Sequence, residues 1–152
     1  MAKTVEFDMI AEKRHNRMSA AELLGVRAKN NLGLAKRVES GLAFDSMERL
    51  TRLTGLPLET IRAAIRIPPR TLSRRRNDNK LTPEESDRLV SVSRLIALAI
   101  ALFEGRVENA TRWLSAPNRA LGMRSPIEVA STEVGSREVE DLIGRLEHGV
   151  FS

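Results

Sequence analysis

Apolar residues in this chain recur at intervals of three and four rather than two, so the pattern predicts an all-α protein. The most continuous stripe is Leu89, Val92, Ile96, Ala99 and Phe103, widened by Leu95, Leu98, Ile100 and Leu102. A helix carrying that stripe is buried over most of its circumference, which makes it the central strut of the fold. Its start is marked by Thr82-Pro83-Glu84-Glu85: a threonine cap, proline at the first helical position and acids at the positive end of the dipole. Gly105 stops it.

Shorter helices are predicted on both sides. Ser19 to Leu24 ends at Gly25, and about Leu32 to Glu39 stops at Gly41. Asp45 with Glu48 reads as a capping box opening a helix whose packed face is Met47, Leu50 and Thr54, ended by Gly55. Downstream come Val107 to Leu114 with the sole tryptophan, Trp113, as a core anchor, a turn at Pro117-Asn118, a short helix opened by Ser125-Pro126, and a last helix from Ser136 to Glu147. Val139, Leu142, Ile143 and Leu146 share one face of that last helix. Residues 1–18 lack periodicity and are expected to form a mobile arm, followed by one helical unit over 19–81 and a second over 82–152.

Charge sharpens the picture. From Arg62 to Lys80 there are seven basic residues and one acid, a net +6 in a chain whose total is only +5. The basicity is therefore local and points to one polyanion-binding face. The same segment has helix-turn-helix spacing, with Ile61 and Ile65 late in a first helix, Ile67 in the turn and Leu72 on the inner face of a second. Pro68 or Pro69 can open that second helix. Arg70, Thr71, Ser73, Arg74 and Asn77 then face outward toward phosphates or base edges, with Arg75, Arg76 and Lys80 at its end. Two positions depart from the usual pattern: Arg66 stands where glycine is common in the turn, and Arg62 where a small residue lets the helices approach. A solvated helix face, or a patch that meets a protein, are the other readings of the arginine run.

Composition excludes several classes. No cysteine is present, so disulfides and thiol chemistry are absent and a reducing cytoplasm is the expected location. The two histidines, His15 and His148, are far apart, and Glu84-Glu85 and Glu140-Asp141 have no nucleophile near them in sequence. Neither a phosphate-binding glycine loop nor a metal motif occurs, so no enzyme activity, metal or cofactor is expected. The start of the chain mixes acids and bases, and Leu95 to Phe103 is too short to span a bilayer, so neither a signal peptide nor a membrane anchor is expected.

The segments IPPRTLSRRR, LTPEESDRL and RWLSAPNRALGMRSPIEVASTEVGSREVEDLIGRLEHGVFS together resemble the Xre/ParS-type antitoxins that pair with RES-domain toxins. The resemblance covers roughly residues 23–152 and is most specific in the C-terminal half. It implies an Xre-like, Cro-type DNA-binding domain and a C-terminal domain that binds the toxin and helps dimerise the protein. It further implies operator DNA and an NAD-consuming RES toxin as partners, a homodimer and larger toxin–antitoxin hetero-oligomers, with the antitoxin covering the toxin's active site. Arg70, Thr71, Ser73 and Arg74 match the DNA-reading helix. Asn118, Leu121, Gly122, Ser125, Pro126, Glu147, Gly149 and Phe151 match the toxin-binding motif, and His148, Val150 and Ser152 complete the tail assigned to that interface. A stand-alone helix-turn-helix repressor explains the basic helix but leaves the apolar tail as core.

Overall fold

The computed structural model describes residues 17–149, which contain nine α-helices, one 3-10 turn and no β-strand. Helix α1 (Ala20–Leu24) opens on a Ser19/Glu22 capping box, and α2 (Asn31–Ser40) is capped by the Asn30 side chain. Helices α3 (Phe44–Thr54), α4 (Leu58–Ala64) and α5 (Pro69–Asp78) follow, then the strut α6 (Pro83–Leu102). Helix α7 (Val107–Ser115), the 3-10 turn Arg119–Leu121, α8 (Pro126–Val129) and α9 (Glu133–Glu147) complete the order. The last helix begins three residues earlier than its apolar face suggests, because Thr132 accepts a hydrogen bond from the Gly135 amide and caps it. Of the arm expected over 1–18, only Arg17 and Met18 fall within the described residues.

Helix α6 is the strut its stripe predicts. Leu89, Val92, Leu95, Ile96, Ala99 and Ile100 are all buried, and the helix packs against α1, α2, α7 and α9. At 1.5 Å per residue its 20 residues span about 30 Å, enough to run the length of a small domain. Leu98, Leu102 and Phe103, toward its C-terminal end, are half-buried and pack against the edge of the core. The Thr82/Glu85 capping box is present as the sequence suggests.

The Asp45 capping box is not. Helix α3 starts two residues earlier, at Phe44, Ala43 offers no side-chain cap, and Asp45 lies in the first turn. Asn79, at the far end of α5, takes over the role: its Oδ1 accepts the Asp45 amide proton at 3.1 Å and its Nδ2 approaches Asp45 Oδ2 at 3.4 Å. The orphan amide is satisfied across the fold rather than locally. A second tie runs alongside, where Leu81 N–H donates to the Leu42 carbonyl and Leu42 N–H to Ser86 Oγ, both at 2.8 Å. Gly41 permits this approach, because its φ is +85° and a Cβ there would stand 2.4 Å from the Leu81 carbonyl oxygen.

The C-terminal half is moored to the first by polar contacts as well as packing. Thr111 Oγ1 donates to the last-turn carbonyl of Thr54 at 2.6 Å, and Arg88 Nε donates to the Ile65 carbonyl at 2.7 Å. Helix α8 packs on α4, and Trp113 sits half-buried with its ring 6.3 Å from that of Phe103. At Gly135 any larger residue is excluded, since a Cβ would fall 1.8 Å from the Val129 carbonyl oxygen.

Candidate functional site

Two surfaces carry the candidate residues. The first is built on α5, which contains no fully buried residue and so cannot be held by an apolar core alone. Its register explains how it is held. Leu72, Arg75 and Asn79 follow at intervals of three and four and face the body of the protein, while Arg70, Ser73, Arg74 and Asn77 form the opposite, exposed stripe. Leu72 packs half-buried against the core as expected, and Ile61, Ile65 and Ile67 are buried. The inward stripe is thus one apolar residue followed by two polar ones.

Arg75 occupies the middle of that inward stripe. Its Nε lies 2.9 and 2.8 Å from the two carboxylate oxygens of Glu85, which is itself 6% exposed. Burial pushes the Glu85 carboxyl up, yet hydrogen bonds from Arg75 and the Thr82 amide, with the charges of Arg75 and Arg88, hold it below the ordinary glutamate value. The hydrogen bond to Glu85 outweighs burial at Arg75 and raises the guanidinium value. Arg76 is also engaged: it lies 3.4 Å from Glu48 and 5.2 Å above the centre of the Phe44 ring. The sequence places both arginines at the DNA-facing end, whereas the structure uses Arg75 to dock the helix and Arg76 to brace it on α3. Their spacing from Leu72 is the signal that separates Arg75 from Arg74.

Arg70, Ser73, Arg74, Asn77 and Lys80 are exposed, and Thr71 is half-buried. The turn before them adopts the conformation its length requires despite its residues. Arg66 sits at φ +59°, the left-handed region where glycine is usual, and its side chain is exposed. Arg62 does not obstruct the helix approach. It folds back onto Glu59, with Nε 2.8 Å from Oε2, and Nη1 donates to the Ile67 carbonyl, closing the turn.

The second surface lies between α7 and α9. Asn118 is half-buried and organises a loop: its Oδ1 accepts the Ala120 amide proton at 2.9 Å, its N–H donates to the Arg124 carbonyl at 3.1 Å, and its carbonyl accepts from Leu121 and Met123. Leu121, Ser125 and Pro126 are buried, and Ser125 forms a capping box with Glu128 at the start of α8. These motif residues shape the loop rather than face solvent. Gly122, Met123, Arg119 and Arg124 are what it displays. At the end of α9, Glu147 pairs with Arg17 at 3.1 Å, and His148 and Gly149 are exposed, Gly149 at φ +65°. Val150, Phe151 and Ser152 lie outside the described residues. Among the described residues no helix is long and apolar enough to cross a membrane.

An exposed basic stripe on the second helix of a helix-turn-helix, docked on α6 beside the C-terminal helices, is the arrangement of a DNA-binding protein. Residues 33–94 match the Antitoxin Xre-like helix-turn-helix domain, and residues 98–149 match the Antitoxin Xre/MbcA/ParS C-terminal toxin-binding domain. The two matched intervals meet inside α6. An Antitoxin Xre of Yersinia enterocolitica is 41% identical over 130 residues, covering 85% of this chain and 88% of the relative. Another, from Pseudomonas putida, is 35% identical over 117 residues, covering 74% and 70% respectively. The chain belongs to the Xre antitoxin family.

Proposed function

We propose that this chain is the antitoxin of a type II module whose toxin is a RES-domain, NAD-consuming enzyme, and that it also represses its own operon. The single observation that carries this reading is the coexistence, on one strut, of an exposed Arg70/Ser73/Arg74/Asn77 stripe and a C-terminal half matching a toxin-binding domain. Arg70 and Arg74 neutralise phosphates or read base edges, Ser73 and Asn77 add hydrogen bonds, and Lys80 extends the phosphate contact. Thr71 contributes at the edge of the stripe. Arg75 and Arg76 act one step back, holding the helix at its angle.

The toxin is met by the Asn118–Pro126 loop and by the chain's end, with Glu147, His148 and Gly149 delivering Val150, Phe151 and Ser152 over the NAD cleft. The left-handed Gly149 supports this assignment, because it turns the backbone away from the axis of α9 at an exposed position. A two-fold operator calls for a two-fold protein, so the working form is a cytoplasmic homodimer that assembles with toxin into a larger hetero-oligomer.

The reading is tested by expressing the RES-domain toxin of the module with and without this chain and measuring cellular NAD. Restored NAD, a co-purifying complex and a shift of DNA from upstream of the gene are the expected results. NAD depletion unchanged by the antitoxin, with no complex recovered, overturns it.

A further inference from the structure

The loop from Asn118 to Arg124 contains an expense that folding does not explain. An antiparallel bridge joins Asn118 to Arg124, the Leu121, Gly122, Met123 and Arg124 amides all donate within the loop, and Leu121 anchors it in the core, so its shape is set without the Met123 side chain. At the tip two consecutive residues are left-handed, Gly122 at φ +65° and Met123 at φ +67°. Glycine adopts that conformation freely, whereas a side chain such as that of Met123 crowds its own backbone.

The Met123 side chain recovers little burial in exchange, because the residue is 61% exposed. Leu32 and Val134 are exposed too, but both sit on helices whose ordinary backbone would suit any residue. At Met123 a polar Asn or a Gly would serve both backbone and solvent better. Backbone strain held together with an exposed, flexible apolar side chain marks a position kept for contact rather than for folding. The surroundings restrict what can be contacted. Arg119 and Arg124 flank the tip and are exposed; Arg119 forms no ion pair among the described residues, and Arg124 reaches only the Glu128 carbonyl, at 3.5 Å.

We propose that Met123 is the apolar anchor of the antitoxin–toxin interface, entering a concave apolar socket on the toxin whose acidic rim meets Arg119 and Arg124. This rests on the reading of the C-terminal half as toxin-binding. Such anchors, filling a socket and ringed by polar contacts, concentrate binding energy in few residues.

Met123→Gly, Met123→Asn and Met123→Leu are compared with wild type by calorimetric titration against the purified RES-domain toxin and by thermal melting of the free protein. The Gly and Asn variants keep the left-handed turn, so the free protein should melt higher by roughly 2 °C. Both should bind the toxin about thirtyfold more weakly, the scale of one hot-spot side chain, while Met123→Leu stays within about threefold of wild type. Opposite signs on stability and affinity are the result a merely structural methionine would not give. Gly and Asn variants that bind as wild type does, or that melt several degrees lower, overturn the inference and leave the antitoxin reading standing. Wild type that fails to bind the toxin overturns both.

Discussion

Arg75 and Glu85 form a two-oxygen ion pair, 2.8 and 2.9 Å from one guanidinium nitrogen, that fastens the exposed basic helix to the strut of the molecule. The pair does what an apolar core does elsewhere, because α5 has only the half-buried Leu72 to dock it. Glu85→Ala leaves Arg75 without its counter-charge and removes half of the Thr82 capping box. It is expected to cost about 3 kcal/mol of stability, measured by denaturant titration. The same pair sets an acid limit. The Glu85 value is depressed in the fold, so its contribution is fully present above the ordinary glutamate value of about 4.3 and is lost as pH falls through the lower folded value. Wild type should lose stability over that acid range with a steeper slope than Glu85→Gln, as read from melts at successive pH values.

DNA affinity separates the free arginines from the engaged ones. Arg70→Ala with Arg74→Ala removes two candidate phosphate or base contacts, so the slope of log affinity against log salt should flatten by about 2 per bound monomer where both are phosphate contacts. Toxin neutralisation should be unchanged, because that stripe faces away from the body of the chain. Arg75→Ala should instead lower the melting temperature. A double variant that binds operator DNA as tightly as wild type would remove α5 from the interface.

The turn offers a stabilising substitution. Arg66 is left-handed and exposed, and Arg66→Gly relieves that crowding at the cost of a looser unfolded chain. A gain of about 0.5 to 1 kcal/mol is expected in denaturant titrations. If Arg66 also contacts phosphate, DNA binding falls while stability rises.

Removing Val150 to Ser152 tests the tail. If Phe151 anchors the cover over the toxin, the truncated chain should lose about 2–4 kcal/mol of toxin affinity and free the toxin's NAD-consuming activity. Operator binding should persist, since α5 is held by α3 and α6. Full neutralisation by the truncated protein would transfer the inhibitory contact to the Asn118–Pro126 loop.

Most helices were legible in the amino-acid sequence, because a stripe at three and four, with a capping side chain or an early proline at its start or a glycine at its end, is written locally. Thr82 with Glu85, the buried stripe of α6 and the Ile61/Ile65/Ile67 pattern are all recovered at their predicted places. The family was legible for the same reason, since its C-terminal motif lies in one continuous stretch. What the tertiary structure alone decided was the use of the charges. Six surplus positive charges look alike in sequence, yet Arg75 neutralises a buried glutamate ten residues away, Arg76 lies over Phe44, and Arg70 and Arg74 face water. Asp45 likewise has the right neighbours for a capping box but receives its partner from Asn79, 34 residues on. A capping box or an apolar period is settled within one or two turns of chain, where sequence spacing is spatial spacing. An ion pair between helices depends on how their axes cross, and that is set by the packing of the whole core.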